Sequence, residues 1–151
     1  MAKDGEAARA EAILAAGRIC GERNERLTRL RRIVLEILLE RDGPLKAYEI
    51  LEALRDAGRR VPPATVYRIL EFLLAQGFVH RVNALNAYVA CSGGHAGRRQ
   101  LLLVCSVCRK TSEIVDPAFY RSLLGKLGEL GFSLAGGGVE IQGICPCCVH
   151  A

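Results

Sequence analysis

A chain of 151 residues, half of them apolar and a quarter charged, can bury a core, yet it is small enough to gain from a metal staple. It has no apolar run of membrane length, its charged start, Met1-Ala-Lys-Asp-Gly-Glu, lacks the apolar centre of a signal peptide, and its seven cysteines, an odd number in metal-like pairs, point to a reducing cytoplasm and to no membrane partner. The formal charge of +5 permits nucleic-acid binding without requiring it.

In chain order, residues 5–21 carry Ile13, Leu14, Ile19 and Cys20 at helical spacing, with Gly21 placed to end the helix. Cys20 has no partner at metal-ligand spacing and reads as a small buried apolar residue. Thr28 is the expected N-cap of a second helix whose stripe is Leu30, Ile33, Val34, Ile37 and Leu38. Arg29, Arg31 and Arg32 fall on its other face and read as a solvated charge run. Gly43-Pro44 breaks that helix, and a third is expected over about 46–57, with Tyr48, Ile50, Leu51 and Leu54 as core and Gly58 at its end. A fourth follows over 64–76, opened by Pro62-Pro63 and closed by Gly77. Val66, Ile69, Leu70, Leu73 and Leu74 form its buried face, with Thr65 and Arg68 on its outer face and Tyr67 beside them.

Residues 78–82 and 87–91 read as two strands of a hairpin pairing 82 with 87. Short helices followed by a hairpin match the plan of a winged helix-turn-helix, in which the last helix enters the major groove of DNA. Arg68 can bond guanine bidentately, and the Thr65 hydroxyl suits a phosphate or base edge, so Thr65, Tyr67 and Arg68 are the candidate DNA contacts.

From residue 92 the character changes. Residues 100–104 and 111–115 read as strands, Asp116-Pro117 as the start of a helix reaching about Leu130, and 132–134 and 139–142 as further strands. Cys105-Ser-Val-Cys108 and Cys145-Pro-Cys-Cys148 bracket this segment. Two Cys-x-x-Cys pairs in a seven-cysteine chain without a secretion signal fit a closed four-thiolate zinc site, which leaves no position open for a substrate. With four thiolates and one Zn²⁺ the net charge would fall to about +3. The expected fold is α+β: a winged-helix domain with wing and hinge over 1–91, then a small zinc-clamped α/β domain over 92–151.

Four ligand-type residues remain, His80, Cys91, His95 and Glu113. The hairpin register puts 80 opposite 89, so Cys91 is diagonal to His80 on one face. One thiolate, one or two imidazoles and a carboxylate suit zinc better than iron or manganese, and three histidines cannot build a histidine-rich iron site. A second, regulatory zinc at the domain boundary would act as a switch. A thiol–disulfide oxidoreductase would need a low-pKa thiolate at a helix start, whereas both knuckles are expected beside strands. No nucleophile–base set or phosphate-cradling glycine loop suggests an enzyme or a small-molecule substrate.

Arg26-Leu-Thr28, Pro62-Pro-x-Thr-Val-Tyr-Arg68, Gln76-Gly-Phe-Val-His80, Tyr88-Val-x-Cys91, the two knuckles and Glu113 together resemble the ferric uptake regulator family, above all its zinc-sensing branch. The resemblance runs from about Ile19 to Val149. It implies a cytosolic homodimeric repressor with a C-terminal dimerisation domain. Such a repressor would bind AT-rich inverted repeats in double-stranded DNA when zinc-loaded and silence zinc-acquisition genes; iron, manganese or peroxide sensors of the same family are the alternative. Cys105, Cys108, Cys145 and Cys148 match the family's structural zinc ligands, His80, Cys91 and Glu113 its sensing ligands, and Tyr67 and Arg68 its base-reading pair. The chain departs from the pattern at Arg98, where the family has its second sensing histidine and for which His95 is the nearest substitute. It departs again at Arg29, in place of a proline, and at the extra thiol Cys147.

Overall fold

The computed structural model describes residues 2–91, 100–135 and 138–149, and the chain forms two compact units, Met1–Ala96 and Gly97–Ala151. The first contains helices α1 (Ala2–Glu22), α2 (Arg29–Glu40), α3 (Ala47–Asp56) and α4 (Pro63–Gln76), then strands β1 (Val79–Val82) and β2 (Ala87–Ala90). Helix α1 passes through Gly21 and ends instead where Asn24 adopts φ +55° and the Glu25 N–H reaches the Cys20 carbonyl at 2.8 Å. Asn is the non-glycine residue that tolerates this left-handed cap best, so the expected stop at Gly21 moves to the next residue able to make it. Thr28 caps α2, its hydroxyl accepting the Arg31 N–H at 3.4 Å.

Val34, Leu38, Ile50, Leu54, Val66, Leu70 and Leu73, all at most 2 % exposed, form the centre of one continuous apolar core. Cys20 is buried within it. Tyr48 is not part of that core: on α3 the buried positions are Ala47, Ile50 and Leu54, and Tyr48 lies off their stripe, 57 % exposed. The β1–β2 hairpin has Val82 opposite Ala87 and His80 opposite Val89, with a 3₁₀ turn over Asn83–Leu85 and Asn86 at φ +47°. Leu45 exchanges two backbone hydrogen bonds with Tyr88, at 2.8 and 2.7 Å, so the loop before α3 adds a short third line to the wing.

The second unit contains β3 (Gln100–Cys105), β4 (Thr111–Ile114), α5 (Pro117–Glu129), β5 (Gly138–Gly143) and the single turn α6 (Pro146–Val149). Its sheet has the order β4-β3-β5, with β4 antiparallel and β5 parallel to β3. Asp116 caps α5 through one carboxylate oxygen that accepts from Ala118 and Phe119 at 3.0 and 2.9 Å. The expected strand over 132–134 does not form: Gly131, at φ +71°, and the Phe132 N–H bonded to the Leu127 carbonyl at 2.8 Å close α5 with a Schellman turn instead. Among the described residues of this unit, Leu101, Leu102, Val104, Cys105 and Tyr120 are the buried apolar ones.

Candidate metal centres and nucleic-acid interface

The four knuckle cysteines meet in the second unit. β3 ends on Cys105, whose N–H bonds the Lys110 carbonyl at 2.9 Å while its carbonyl accepts the Arg109 N–H at 3.0 Å. Arg109 takes φ +63° to complete this tight loop. The parallel register sets Cys105 beside Gly143, and the Ser106 N–H and hydroxyl both donate to the Gly143 carbonyl, at 2.9 and 3.1 Å. The sheet therefore delivers Cys145 and Cys148 to the first knuckle. One ligand atom from each of the four cysteines lies within 4.8 Å of the others. Cys108 Sγ and Cys145 Sγ are 3.7 Å apart, far from the ~2.05 Å of a disulfide. The distance matches the ~3.8 Å edge of a tetrahedron with zinc–sulfur bonds of about 2.3 Å. None of the seven cysteines forms a disulfide, and Cys147 is exposed, outside the four-sulfur group.

The array is electrostatically uneven. The backbone N–H groups of Cys108 and Cys145 point at the Cys105 sulfur, the latter at 3.4 Å, and lower its pKa to about 6. Hydrogen bonds with Cys145 and Cys108 push the Cys148 thiol up to about 12. One sulfur is therefore ready to ionise, and its neighbours keep another protonated until a cation offsets their charge.

In the first unit the hairpin brings His80 and Cys91 together, a ring nitrogen and the thiol lying within 4.8 Å of each other. Their spacing follows from the observed register and from the Cys91 N–H bonded to the Phe78 carbonyl at 2.9 Å. Cys91 is 6 % exposed. It borders an apolar cavity of about 20 Å³ lined also by Ala16, Ile19, Leu35 and Phe78. Glu113 belongs to the second unit, half-buried on β4 opposite Leu102. His95 lies outside the described residues, as does Arg98.

The third constellation is on α4. Val66, Ile69, Leu70 and Leu73 anchor the helix in the core, which turns Arg68 and the half-exposed ring of Tyr67 outward; Thr65 is partly buried. Pro62, its N-cap, offers no side-chain acceptor, so the positive end of the helix is not neutralised locally. Two contacts without a local sequence signal hold α4 in place. Arg23 Nη1 donates to the Gln76 carbonyl and to Gln76 Oε1, at 3.1 and 2.9 Å. The Arg31 guanidinium stacks 3.5 Å from the centre of the Phe72 ring and also bonds the Arg26 carbonyl at 2.7 Å. Arg32 pairs with Glu36 at 2.9 Å, so two of the three arginines on α2 have partners within the fold.

The sequence model of the ferric uptake regulator family matches residues 22–141. The zinc uptake regulation protein of Escherichia coli (strain K12) is 36 % identical over 141 residues, which cover 93 % of this chain and 82 % of the relative. A solved zinc uptake regulator complexed with zinc and DNA superposes with a TM-score of 0.84 at 35 % identity, covering 94 % of this chain and 95 % of that one. The holo form of XcZur superposes at 0.81 with 37 % identity, covering 92 % and 97 %. The α4 face and the four-cysteine cluster sit in a fold shared along nearly the whole chain with these proteins: the chain belongs to the ferric uptake regulator family.

Proposed function

We propose that the chain is a zinc-responsive transcriptional repressor that binds an inverted-repeat operator as a zinc-loaded homodimer and controls zinc-uptake genes in the cytoplasm. The observation that carries this reading is the likeness, over 94 % of the chain, to a zinc uptake regulator complexed with zinc and DNA. It is a binding protein and not an enzyme, since a zinc ion enclosed by four thiolates has no position left for a reactant.

Cys105, Cys108, Cys145 and Cys148 hold a permanent zinc; their sulfur separations and the uneven protonation of the array fit one thiolate-bound cation. His80 and Cys91, with Glu113 and His95, hold a second, exchangeable zinc. The mixed donor set suits zinc and binds it less tightly than four thiolates do. Zinc supplies at both places a redox-inert divalent charge that fixes the directions of its ligands. Tyr67 and Arg68 reach base edges in the major groove, and Thr65 contacts a base edge or a phosphate.

A second copy of the chain covers the apolar surface of the C-terminal unit, where Ile114, Phe119, Leu130, Phe132 and Ile141 are between 39 % and 77 % exposed. Apolar exposure of that extent in so small a unit marks an interface. Zinc stoichiometry tests the assignment. Purified protein should hold two zinc ions per chain and keep one after a mild chelator, and it should respond to added zinc and not to iron(II) or manganese(II). One ion, or two that leave together, would refute the division into fixed and exchangeable sites.

A further inference from the structure

We infer that Arg55, Arg59 and Arg60 form a preformed phosphate-binding cleft that grips the DNA backbone next to the base-reading face of α4. The inference rests on the DNA-binding function proposed above. The three arginines, with Leu51 and Val61, line an open cleft of about 390 Å³. Among the described residues none of the three is ion-paired, although Glu52 and Asp56 share a helix with Arg55. By contrast Arg32 and Lys126, on exposed helix faces elsewhere, each have a carboxylate partner at 2.9 Å.

The backbone carrying these arginines is fixed at both ends. α3 closes in a Schellman turn in which the Gly58 N–H bonds the Arg55 carbonyl at 2.9 Å and the Arg59 N–H bonds the Leu54 carbonyl at 2.8 Å. Gly58 sits at φ +73°, the left-handed position that this turn requires. On the other side, Pro62 restricts Val61 to extended geometry and Pro63 opens α4. Arg59 and Arg60 are thus held in a short rigid bridge immediately before the recognition helix. Tyr67 and Arg68 follow only about one helical turn into it, some 6–8 Å along the axis at 1.5 Å per residue. Guanidinium groups on the segment that leads directly into a base-reading helix are placed to meet the phosphates flanking those bases. The rigid bridge lowers the ordering cost of the contact.

The test is the salt dependence of operator binding by the zinc-loaded, full-length dimer, comparing wild type with Arg59→Ala/Arg60→Ala and Arg59→Lys/Arg60→Lys. Each phosphate contact contributes about 0.9 to the slope of log affinity against log salt. The alanine pair, present twice in a dimer, should therefore flatten the slope by roughly 3 to 4. It should weaken operator and unrelated DNA by a similar factor, on the order of tenfold to a hundredfold, with zinc content and melting unchanged. The lysine pair should keep most of the slope. An unchanged slope, or a lost operator preference at unchanged slope, would overturn the inference. So would a rise in melting temperature on adding millimolar inorganic phosphate at constant ionic strength, which would mark a site for a soluble anion. Wild-type protein that binds no DNA in zinc would sink the repressor reading itself, and this inference with it. A bound wild type with an indifferent double variant would sink the inference alone.

Discussion

The two units of this chain reach stability by different means. The N-terminal unit has a contiguous apolar core in which Val34, Ile50, Leu54 and Leu73 are wholly buried. Each such side chain contributes about 1.5–3 kcal/mol. Among its described residues the C-terminal unit buries only Leu101, Leu102, Val104, Cys105 and Tyr120, and exposes Phe119, Leu130 and Phe132. In place of a core it has four sulfurs gathered at one end of a three-stranded sheet. A unit that cannot bury enough surface needs a cross-link, and a thiolate-bound zinc, at about 10–16 kcal/mol near neutral pH, is a strong one. On the assignment proposed above, the N-terminal unit would fold without metal and its His80–Cys91 pair would exchange an ion, whereas the C-terminal unit would lose most of its stability with its zinc.

The largest effect should come from breaking the cluster. Cys105→Ser should remove the fixed zinc and destabilise the C-terminal unit strongly while the N-terminal helices persist. Hydrogen exchange should show protection lost over β3–β5 and kept over α2–α4; equal loss in both units would contradict the contrast. Next is Leu73→Ala, which opens a cavity in the apolar core. It should cost about 3 kcal/mol, read as a lower denaturation midpoint of the N-terminal unit, with four-cysteine zinc retained. Smaller still are the helix caps. Asp116→Ala removes an acceptor of two N–H groups at 2.9 and 3.0 Å and should cost about 1 kcal/mol in the C-terminal unit. Thr28→Ala loses one bond at 3.4 Å and should cost less than that.

The smallest signal is counted in protons. A Cys105 thiol lowered to about 6 is already ionised at pH 7, so loading metal-free clusters should release fewer than four protons each, measured with an indicator dye. Release of a full four would contradict the lowered pKa. The depressed Cys105 contributes stability to the metal-free fold above pH 9, and this is lost as pH falls towards 6. The raised Cys148 acts oppositely, opposing the fold as pH rises from 9 towards 12.

Features with a local cause were legible in the sequence. The paired cysteine spacing announced the cluster, and the hairpin turn set the 82–87 pairing that puts His80 near Cys91. The buried stripe of α4 left Tyr67 and Arg68 facing out. Features depending on distant partners were not. Leu45 pairs with Tyr88, Arg23 with Gln76 and Arg31 with Phe72, and none of these contacts has a periodicity or motif to betray it. Tyr48 was misplaced because an aromatic residue one position off a stripe looks apolar enough to belong to it. The strand expected at 132–134 failed because its residues close a helix first; Gly131 was the available signal.

The central claim is that the pair in the N-terminal unit carries the zinc response while the four cysteines carry only structure. The most direct measurement is operator binding against buffered free zinc, followed by fluorescence anisotropy, for wild type and Cys91→Ala. Wild type should tighten about a hundredfold as zinc rises, equivalent to roughly 3 kcal/mol of coupling. Cys91→Ala should keep one zinc per chain and stay weak at every zinc concentration. A variant that binds as tightly as wild type, with the same zinc dependence, would contradict the account.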